Sequence, residues 1–443
     1  MPVPFLEAVE TDPDLPGSAD VVVIGGGIAG ITAALYLAEA GVRVVVCEKG
    51  VVAGEQSSRN WGWVRQMGRD PVEMPLTMES LRLWRGLDAH FNIDTGFRET
   101  GITYVGRTPR EIAELTEWAG QGQAGGMKIE LLDRDSLGRL LPGISPRYST
   151  GLYTVDDGRA EPGKAVPALA SAARRLGAAI VGNCAVRGLE TAAGRVSGVV
   201  TERGGISASS VILAGGAWSR LFLGNHGIGF PQLKLLGTAT RVDNVSGVPE
   251  MPVGGGDFAF RKRLDGGYSV ALRNANVAPI VPDSFRLFMD FFPTFLSSWH
   301  ELKLRVGRQF ITELQMPRSW SLDAQSPFEK IRTIDPMPHE PFNRKMLVTL
   351  KTAFPAFASA RITDSWAGMI DATPDAIPVI GPVAAIPGLY LSSGFSGHGF
   401  GIGPGAGKLM ADIVRGVTPA VDPHPFRFDR FKQTHSTNLP KVA

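Results

Sequence analysis

The segment Asp20–Lys49 restricts the fold of this chain more than any other, because it spells a strand, a glycine-bearing turn, a helix and a second strand in succession. Val21–Ile24 is a short β-branched run of the kind that fills a strand buried on both faces. It runs into Gly25-Gly26-Gly27-Ile28-Ala29-Gly30. There Gly25, Gly27 and Gly30 fall where a tight turn, close backbone approach to a pyrophosphate and close helix–strand packing are needed. A helix from this turn to Ala40 aims its N-terminal N–H groups at phosphate oxygens. Gly41 stops it, Val42–Val46 reads as the second strand, and Glu48 stands where a carboxylate accepts both hydroxyls of a ribose. A glycine-rich hairpin leaves Glu48 unexplained, so the segment predicts a dinucleotide site.

The rest of the composition narrows the class of protein. With 443 residues the chain is long enough for two domains, and 44% hydrophobic with 20% charged residues is ordinary for a globular protein. Forty-five basic and 43 acidic residues leave a formal charge of +2, and no Lys/Arg run is long enough to follow a phosphate backbone, so nucleic acid is not expected as a partner. The N-terminus carries Pro and acids where a signal peptide needs a basic start, and no run of about 18 apolar residues follows. The expectation is a soluble, cytoplasmic protein without a transmembrane segment. Cys47 and Cys184 fall in apparent buried strands, which supports neither a disulfide framework nor a metal site.

Along the chain, helices are expected at about Glu79–Phe91, Pro109–Ala119, Leu131–Leu141 and Pro162–Leu176, with strands at Gly101–Val105, Ala179–Val181, Cys184–Leu189, Arg195–Glu202 and Ile206–Leu213. From Leu233 to about Trp366 strands alternate with loops, including a hairpin pairing Phe258–Arg263 with Tyr268–Arg273. Leu389–Ser393 reads as a strand, Gly394–Gly407 as a glycine-rich loop and Lys408–Val414 as a helix. The fold class is α/β: a discontinuous Rossmann-type domain (1–100, 151–232 and 364–443) plus an α+β substrate domain (101–150 and 233–363) with a mostly antiparallel sheet. An aromatic helical segment is inserted at about 283–310. Its stretch Phe285–Leu296 reads as buried core, as a lid or dimer face, or as a shallow membrane-contacting patch.

Three separated segments resemble the flavin-dependent amine and amino-acid oxidoreductases that include D-amino-acid oxidase, glycine oxidase and monomeric sarcosine oxidase. They are the N-terminal unit, Leu213–Ser219 (LAGGAWS) and Gly394–Phe400 (GFSGHGF). The similarity extends over nearly the whole chain. Within that group, Ala53–Arg59 (AGEQSSR), the neighbouring Gly62-Trp63 and Gly368–Ile380 (GMIDATPDAIPVI) resemble the bacterial L-amino-acid deaminases and related L-amino-acid oxidases. The membrane-bound deaminases carry an N-terminal membrane segment that has no counterpart in this sequence, which favours an oxidase using O₂ over one feeding a respiratory quinone.

The resemblance implies FAD, held without a covalent bond because Cys47 falls beside Glu48 at the ribose end and Cys184 lies far from the glycine loop. The cofactor contacts it implies are Gly25, Gly27, Ile28, Ala29 and Gly30 in the first turn, then Glu48, Lys49, Ser57, Ser58, Arg59, Gly62 and Trp63. Val186, Ala214, Gly215 and Trp218 follow, with Gly397, His398, Gly399, Phe400, Gly401 and Ile402 in the glycine loop. Ser57-Ser58 also reads as a plain turn cap, and Val186 as core. A helix beginning near Gly403 would turn its positive end to the flavin pyrimidine ring.

Oxidation of an amino acid on a flavin needs an oriented substrate rather than a nucleophile or a metal. A carboxylate calls for an arginine fork. D-Amino-acid oxidases carry theirs in a Gly-Leu-Arg-Pro-like stretch where this chain has Trp366-Ala367-Gly368-Met369. The substrate-binding arginine is therefore sought at Arg286, slightly favoured, or at Arg261 or Arg273, each of which also reads as a surface or salt-bridged residue. Gln66 is a candidate substrate contact. His398, Trp63, Met369 and Phe400 are candidates to shape the pocket, and hydride transfer requires no general base from His398. The expected activity is FAD-dependent oxidative deamination of L-amino acids with release of hydrogen peroxide. Alternatives are a quinone-linked deaminase and an oxidase of D-amino acids or secondary amines. A homodimer is the default assembly.

Overall fold

In the computed structural model, which describes residues 4–299 and 302–433, the opening unit forms as the sequence dictates. β1 (Val21–Ile24), α1 (Ile28–Glu39) and β2 (Val44–Cys47) follow one another, with both strands buried throughout. β1 lies between two parallel neighbours, β2 and Ser210–Leu213, in the register Val21↔Val44 and Val21↔Ser210. Ala179–Val181 extends this sheet beyond β2, and Leu389–Ser393 extends it beyond Ser210–Leu213. Val379–Pro382 closes the second edge antiparallel, giving six strands. The β-branched runs fill a sheet covered on both faces, which is why they read as continuous apolar stretches rather than as alternation.

A second sheet of ten strands is mostly antiparallel. Its long central pair, Leu233–Asp243 with Arg361–Ala372, stays in register from Leu233↔Ala372 to Asp243↔Arg361 through one irregularity. The expected hairpin is present as Ala259–Lys262 against Tyr268–Ala271. Ile102–Gly106 and Thr150–Thr154 join the same sheet, so segments far apart in sequence build one surface. Two smaller sheets complete the frame: the meander Val186–Ala192, Arg195–Thr201 and Gly204–Ser207, and the ribbon of Trp63–Val64, Gly158–Arg159 and Arg98–Glu99.

Three sequence expectations change. Ile206–Leu213 is not one strand: Gly204–Ser207 ends the meander and Ser210–Leu213 enters the sheet beside β1. Leu131–Leu141 is not one helix: Ile129–Leu132 is a strand, and the helix Arg134–Leu140 starts only after Asp133, whose carboxylate accepts the Ser136 N–H as an N-cap. The glycine-rich stretch is mostly helical as well, because a helix runs from Gly399 to Arg415. Its glycines are selected by contact with α1. A Cβ at Gly403 would lie 2.6 Å from Ile28 Cγ1, and one at Gly407 2.2 Å from Thr32 Oγ1. Thr32 then donates to the Gly403 carbonyl at 2.9 Å. Ser80 enters the helical ladder from the Met74–Phe91 helix, donating to Gly401 O at 2.8 Å and accepting from Gly405 N at 3.0 Å. Trp84 Nε1 also donates to Gly401 O. Close tertiary packing thus outweighs the low helix propensity of glycine.

The aromatic insertion forms two helices, Pro282–Arg286 and Phe288–Ser298; Leu287 is buried and Phe291 and Phe295 half-buried, while most of its other large apolar side chains face outward. Phe285 is 68% and Met289 74% exposed, and Phe288, Phe292, Leu296 and Trp299 are exposed too, so the buried-core reading of this stretch does not hold. Among the described residues no helix is long and apolar enough to cross a membrane.

Candidate functional site

A cavity enclosing about 1240 Å³ of space, mouth included, runs along the C-terminal ends of the six-stranded sheet. Ligands of open parallel sheets sit at this edge. Gly25, Gly27, Ile28 and Ala29 form one wall, Glu48, Lys49, Ser57 and Val186 a second, and Ala214–Trp218 a third, with Met369, Gly397, Gly399 and Phe400 at the far end. Most of the residues expected to hold FAD are therefore brought to one space.

Several groups fit the parts of an FAD molecule. Gly27 caps α1 without a side chain, and the Ile28 N–H is held by Ser57 Oγ at 2.9 Å, which leaves the helix entrance polar and narrow. Glu48 is half-buried, and its two oxygens accept from Gly26 N at 2.7 Å and Gly50 N at 2.8 Å. Burial raises its pKa and these N–H groups pull the other way. Each carboxylate oxygen keeps a further lone pair for a ribose hydroxyl. Trp218 closes the ring wall. Its Nε1 donates to Glu55, and Lys49 Nζ stands 4.5 Å from its ring centroid while bonded to Glu55 at 2.7 Å.

Asp371 organises the far end, a role the sequence does not reveal. Its Oδ2 accepts from Gly394 N at 2.7 Å and from Phe395 N and Ser393 Oγ at 3.3 Å, so one buried carboxylate holds the turn that leads into the Gly399–Arg415 helix. Burial raises the Asp371 pKa against these bonds.

Two expected cofactor contacts have other work. Arg59 is wholly buried and gives its guanidinium to Gly54 O, Ala367 O and Asp335, pinning the loop after β2 to the strand Arg361–Ala372. Ser58 Oγ donates to Glu55 O. Gly62, Trp63, Gly401 and Ile402 do not line the cavity but form the layer behind it, where a Cβ on Gly401 would lie 3.3 Å from Trp63 O. Cys47 lines the ribose side and Cys184 is buried behind it. Both are free thiols, remote in sequence from the Gly399 turn.

The three candidate arginines separate clearly. Arg261 is 1% exposed, donates to Glu161 at 2.6 Å and to Trp61 O at 2.7 Å, and lies outside the cavity lining. Arg286 points outward and pairs with Asp283 at 2.9 Å, sharing it with Arg220 and Arg318. Those cations hold the Asp283 carboxyl at about 2 despite burial, which alone would raise it. Arg273 instead packs on an aromatic wall, its guanidinium carbon 4.9 Å from the Tyr104 ring and 5.5 Å from Trp118. The same Tyr104 carries Arg65 on its hydroxyl at 2.7 Å and meets Trp63 edge-on at 5.9 Å. Neither Arg273 nor Arg261 lines the cavity; both reach the layer behind it, Arg261 through Trp61 O while held by Glu161, and Arg273 through Tyr104 while donating to Gly255 O at 3.2 Å.

Gln66 belongs to this layer. Its backbone N–H donates to Asp157 Oδ1 at 2.8 Å, and its Nε2 does so at 3.4 Å. Asp157 is fully buried, and burial pushes its carboxyl to about 6 against these hydrogen bonds and Arg65. A raised carboxyl pKa makes folding less favourable as pH climbs from the unfolded value of 3.8 to about 6, because the unfolded chain releases a proton that the folded chain keeps. Asp157→Asn is therefore expected to raise stability above pH 6 by up to about 3 kcal/mol and to leave it unchanged below pH 4. Urea unfolding at the two pH values reads this, and an equal effect at both would rule it out.

His398 stands at the N-cap of the same helix, with Nδ1 3.3 Å from Glu73 Oε2. Burial first, then the charges of Arg69 and Arg65, hold its pKa at about 4 against the pull of Glu73.

The comparisons with known proteins agree with this geometry. Residues 20–413 match the family described as FAD dependent oxidoreductase, and the chain belongs to it. It is 35% identical to an L-amino acid deaminase from Proteus myxofaciens, solved in complex with anthranilate, with a TM-score of 0.92 over 96% of both chains. It is also 25% identical to the sarcosine oxidase subunit beta of an Arthrobacter species, over 97% of this chain and 95% of that one. Identity to the glycine oxidase of Pseudomonas putida is 24%, over 92% of this chain and 98% of the relative. The protein is an FAD-dependent oxidoreductase acting on amino acids or amines.

Proposed function

We propose that the protein oxidises L-amino acids to 2-oxo acids and ammonia, with O₂ as the electron acceptor and hydrogen peroxide as the second product. The observation that carries this reading is Arg273 over the rings of Tyr104 and Trp118, with Tyr104 edge-on to Trp63, whose carbonyl abuts the first turn of the Gly399–Arg415 helix. Bound FAD supplies an acceptor for the hydride from the substrate Cα. The chain's own residues do the rest. Arg273 receives the carboxylate, Gln66 braces the layer behind it through Asp157, and Met369 and Phe400 bound the apolar side. The positive end of the Gly399–Arg415 helix, free of any acidic residue in its first turn, favours negative charge on the flavin pyrimidine. FAD is held without a covalent bond, because Cys47 faces the ribose side. The Proteus myxofaciens relative is described with anthranilate, an aromatic amino-carboxylate, whose chemistry suits a guanidinium over aromatic faces.

A second reading, electron delivery to a quinone at a membrane, draws on the exposed row Phe285, Phe288, Met289, Phe292 and Leu296, since contiguous apolar surface marks an interaction site. One experiment separates the readings. The yellow holoprotein is mixed with L- and D-amino acids without air, the flavin absorbance is followed, and air is then admitted. Bleaching by L-forms alone, with fast recovery and peroxide in air, is the expected result. Slow recovery in air with fast recovery on adding a quinone would favour the second reading, and bleaching by D-forms or sarcosine alone would overturn both.

A further inference from the structure

We propose that Glu73 is a positioning residue that binds the Nδ1 side of His398, so that the neutral ring presents Nε2 as a hydrogen-bond acceptor to the amino group of the substrate. The inference rests on an amino acid being the substrate.

Glu73 and His398 come from opposite ends of the sequence. Glu73 is the last residue before the Met74–Phe91 helix, its N–H bonded to Asp70 O and its carbonyl to Thr77 N, so its backbone is fixed. His398 is the residue before the Gly399–Arg415 helix. Ser80 and Trp84 bond one helix to the other at Gly401, which sets the distance between the two ends. The Glu73 side chain is 1% exposed and Oε2 lies 3.3 Å from His398 Nδ1. The alignment is off the axis of a hydrogen bond, and Glu73 Oε1 and His398 Nδ1 have no hydrogen-bond partner among the described residues. A small ring rotation completes the bond.

Chemistry then fixes the ring. Arg69, whose Nε and Nη1 are buried without a partner among the described residues, acts on the ring together with Arg65, and their charge with burial disfavours an imidazolium. A neutral imidazole carries one N–H, and a carboxylate opposite Nδ1 selects that nitrogen as the donor. Nε2 then holds a lone pair. Nδ1 is buried, the side chain keeps 22% exposure, and the chain neighbours Gly397 and Gly399 line the cavity although His398 itself does not, so the Nε2 edge is assigned to that side. With the carboxylate on Arg273, the amine on Nε2 and the side chain against Met369, three substituents of Cα are held and its hydrogen has one direction left. Such a three-point arrangement selects a single hand of substrate.

The test uses the FAD-loaded protein with ¹⁵N-labelled histidine, the His398 signals being identified by their loss in His398→Asn. The expected wild-type ring is protonated on Nδ1, bare on Nε2 and constant between about pH 5.5 and 8. Glu73→Gln, whose amide donates as well as accepts, is expected to populate both tautomers. It should lower kcat/KM for amino acids about ten- to a hundredfold, as loss of a partner behind a working imidazole does, while benzoate, which has no amine, still binds as in the wild type. A wild-type ring protonated on Nε2 would overturn the proposal, as would equal weakening of benzoate and amino acid in Glu73→Gln. If no amino acid bleached the flavin, the amine would fall as the ring's partner, and the tautomer measurement would still decide the Glu73–His398 pairing on its own.

Discussion

Arg273→Leu lowers kcat/KM for amino acids by about 10²–10³, mostly through KM, while the protein keeps its FAD and its folding stability. The size follows from what is removed: a charge-assisted, two-pronged contact to a carboxylate in a partly desolvated site, a loss of ~3–4 kcal/mol. Leucine puts apolar surface against Tyr104 and Trp118 in place of the guanidinium, which sits over both rings and donates to Gly255 O at 3.2 Å, so the change acts on the substrate more than on the fold. The other arginines serve as internal controls with different signatures. Arg286→Leu removes a half-exposed member of a cluster that still leaves Asp283 with Arg220 and Arg318, and is expected to change stability by no more than about 0.5 kcal/mol with kinetics unaltered. Arg261→Leu strands Glu161 in the interior, with only Arg159 at 3.8 Å to offset it, and is expected to cost about 3 kcal/mol of stability. Steady-state kinetics on all three, with thermal unfolding alongside, reads the pattern. An Arg273→Leu enzyme with unchanged KM would move the carboxylate to another group, with Arg65 next in line.

What could be read from the sequence follows from the range of the forces involved. The β1–α1–β2 unit was legible because its strands, turn and helix are consecutive and each residue's reason is local. The Gly399–Arg415 helix was not, because its glycines answer to Ile28, Thr32 and Leu76, which lie over three hundred residues away. Propensity alone makes that stretch a loop. Arg59 shows the same limit from the side of charge. An arginine after a Ser-Ser pair in a cofactor loop suggests a phosphate partner, and only the fold brings the Ala367 carbonyl and Asp335 to it. Asp371 and Glu55 fall inside segments that carry the family resemblance but show no role there, and Tyr104 carried no signal, since one acid or one tyrosine in a strand or loop has no periodicity to betray its role. For the substrate, arginine type was predictable from chemistry, but only the fold separates Arg273, over Tyr104 and Trp118, from Arg261 on Glu161 and Arg286 on Asp283.

Gly25→Val abolishes retention of FAD, weakening it by at least about two orders of magnitude, equivalent to ~3 kcal/mol, and lowers thermal stability at the same time. Gly25 has φ +111°, which L side chains rarely adopt, and a Cβ there would lie 2.4 Å from the Ala214 carbonyl oxygen. That carbonyl cannot withdraw, because the Ala214 N–H is bonded to Ile24 O at 2.9 Å and Ser210–Leu213 is locked beside β1. The clash must therefore push the turn itself outward, across the wall that would hold the pyrophosphate, and Gly26 loses its bond to Glu48 as it moves. Gly27→Ala provides the graded comparison. Its Cβ would meet only Ser57 Oγ, at 3.0 Å, and a hydroxyl can rotate away. This variant is expected to fold normally and to bind FAD more weakly, with activity restored by excess FAD, whereas Gly25→Val stays colourless at any FAD concentration. Flavin content after gel filtration and fluorescence titration of added FAD measure the difference. A yellow, stable Gly25→Val protein would show that the pyrophosphate does not rest on this turn.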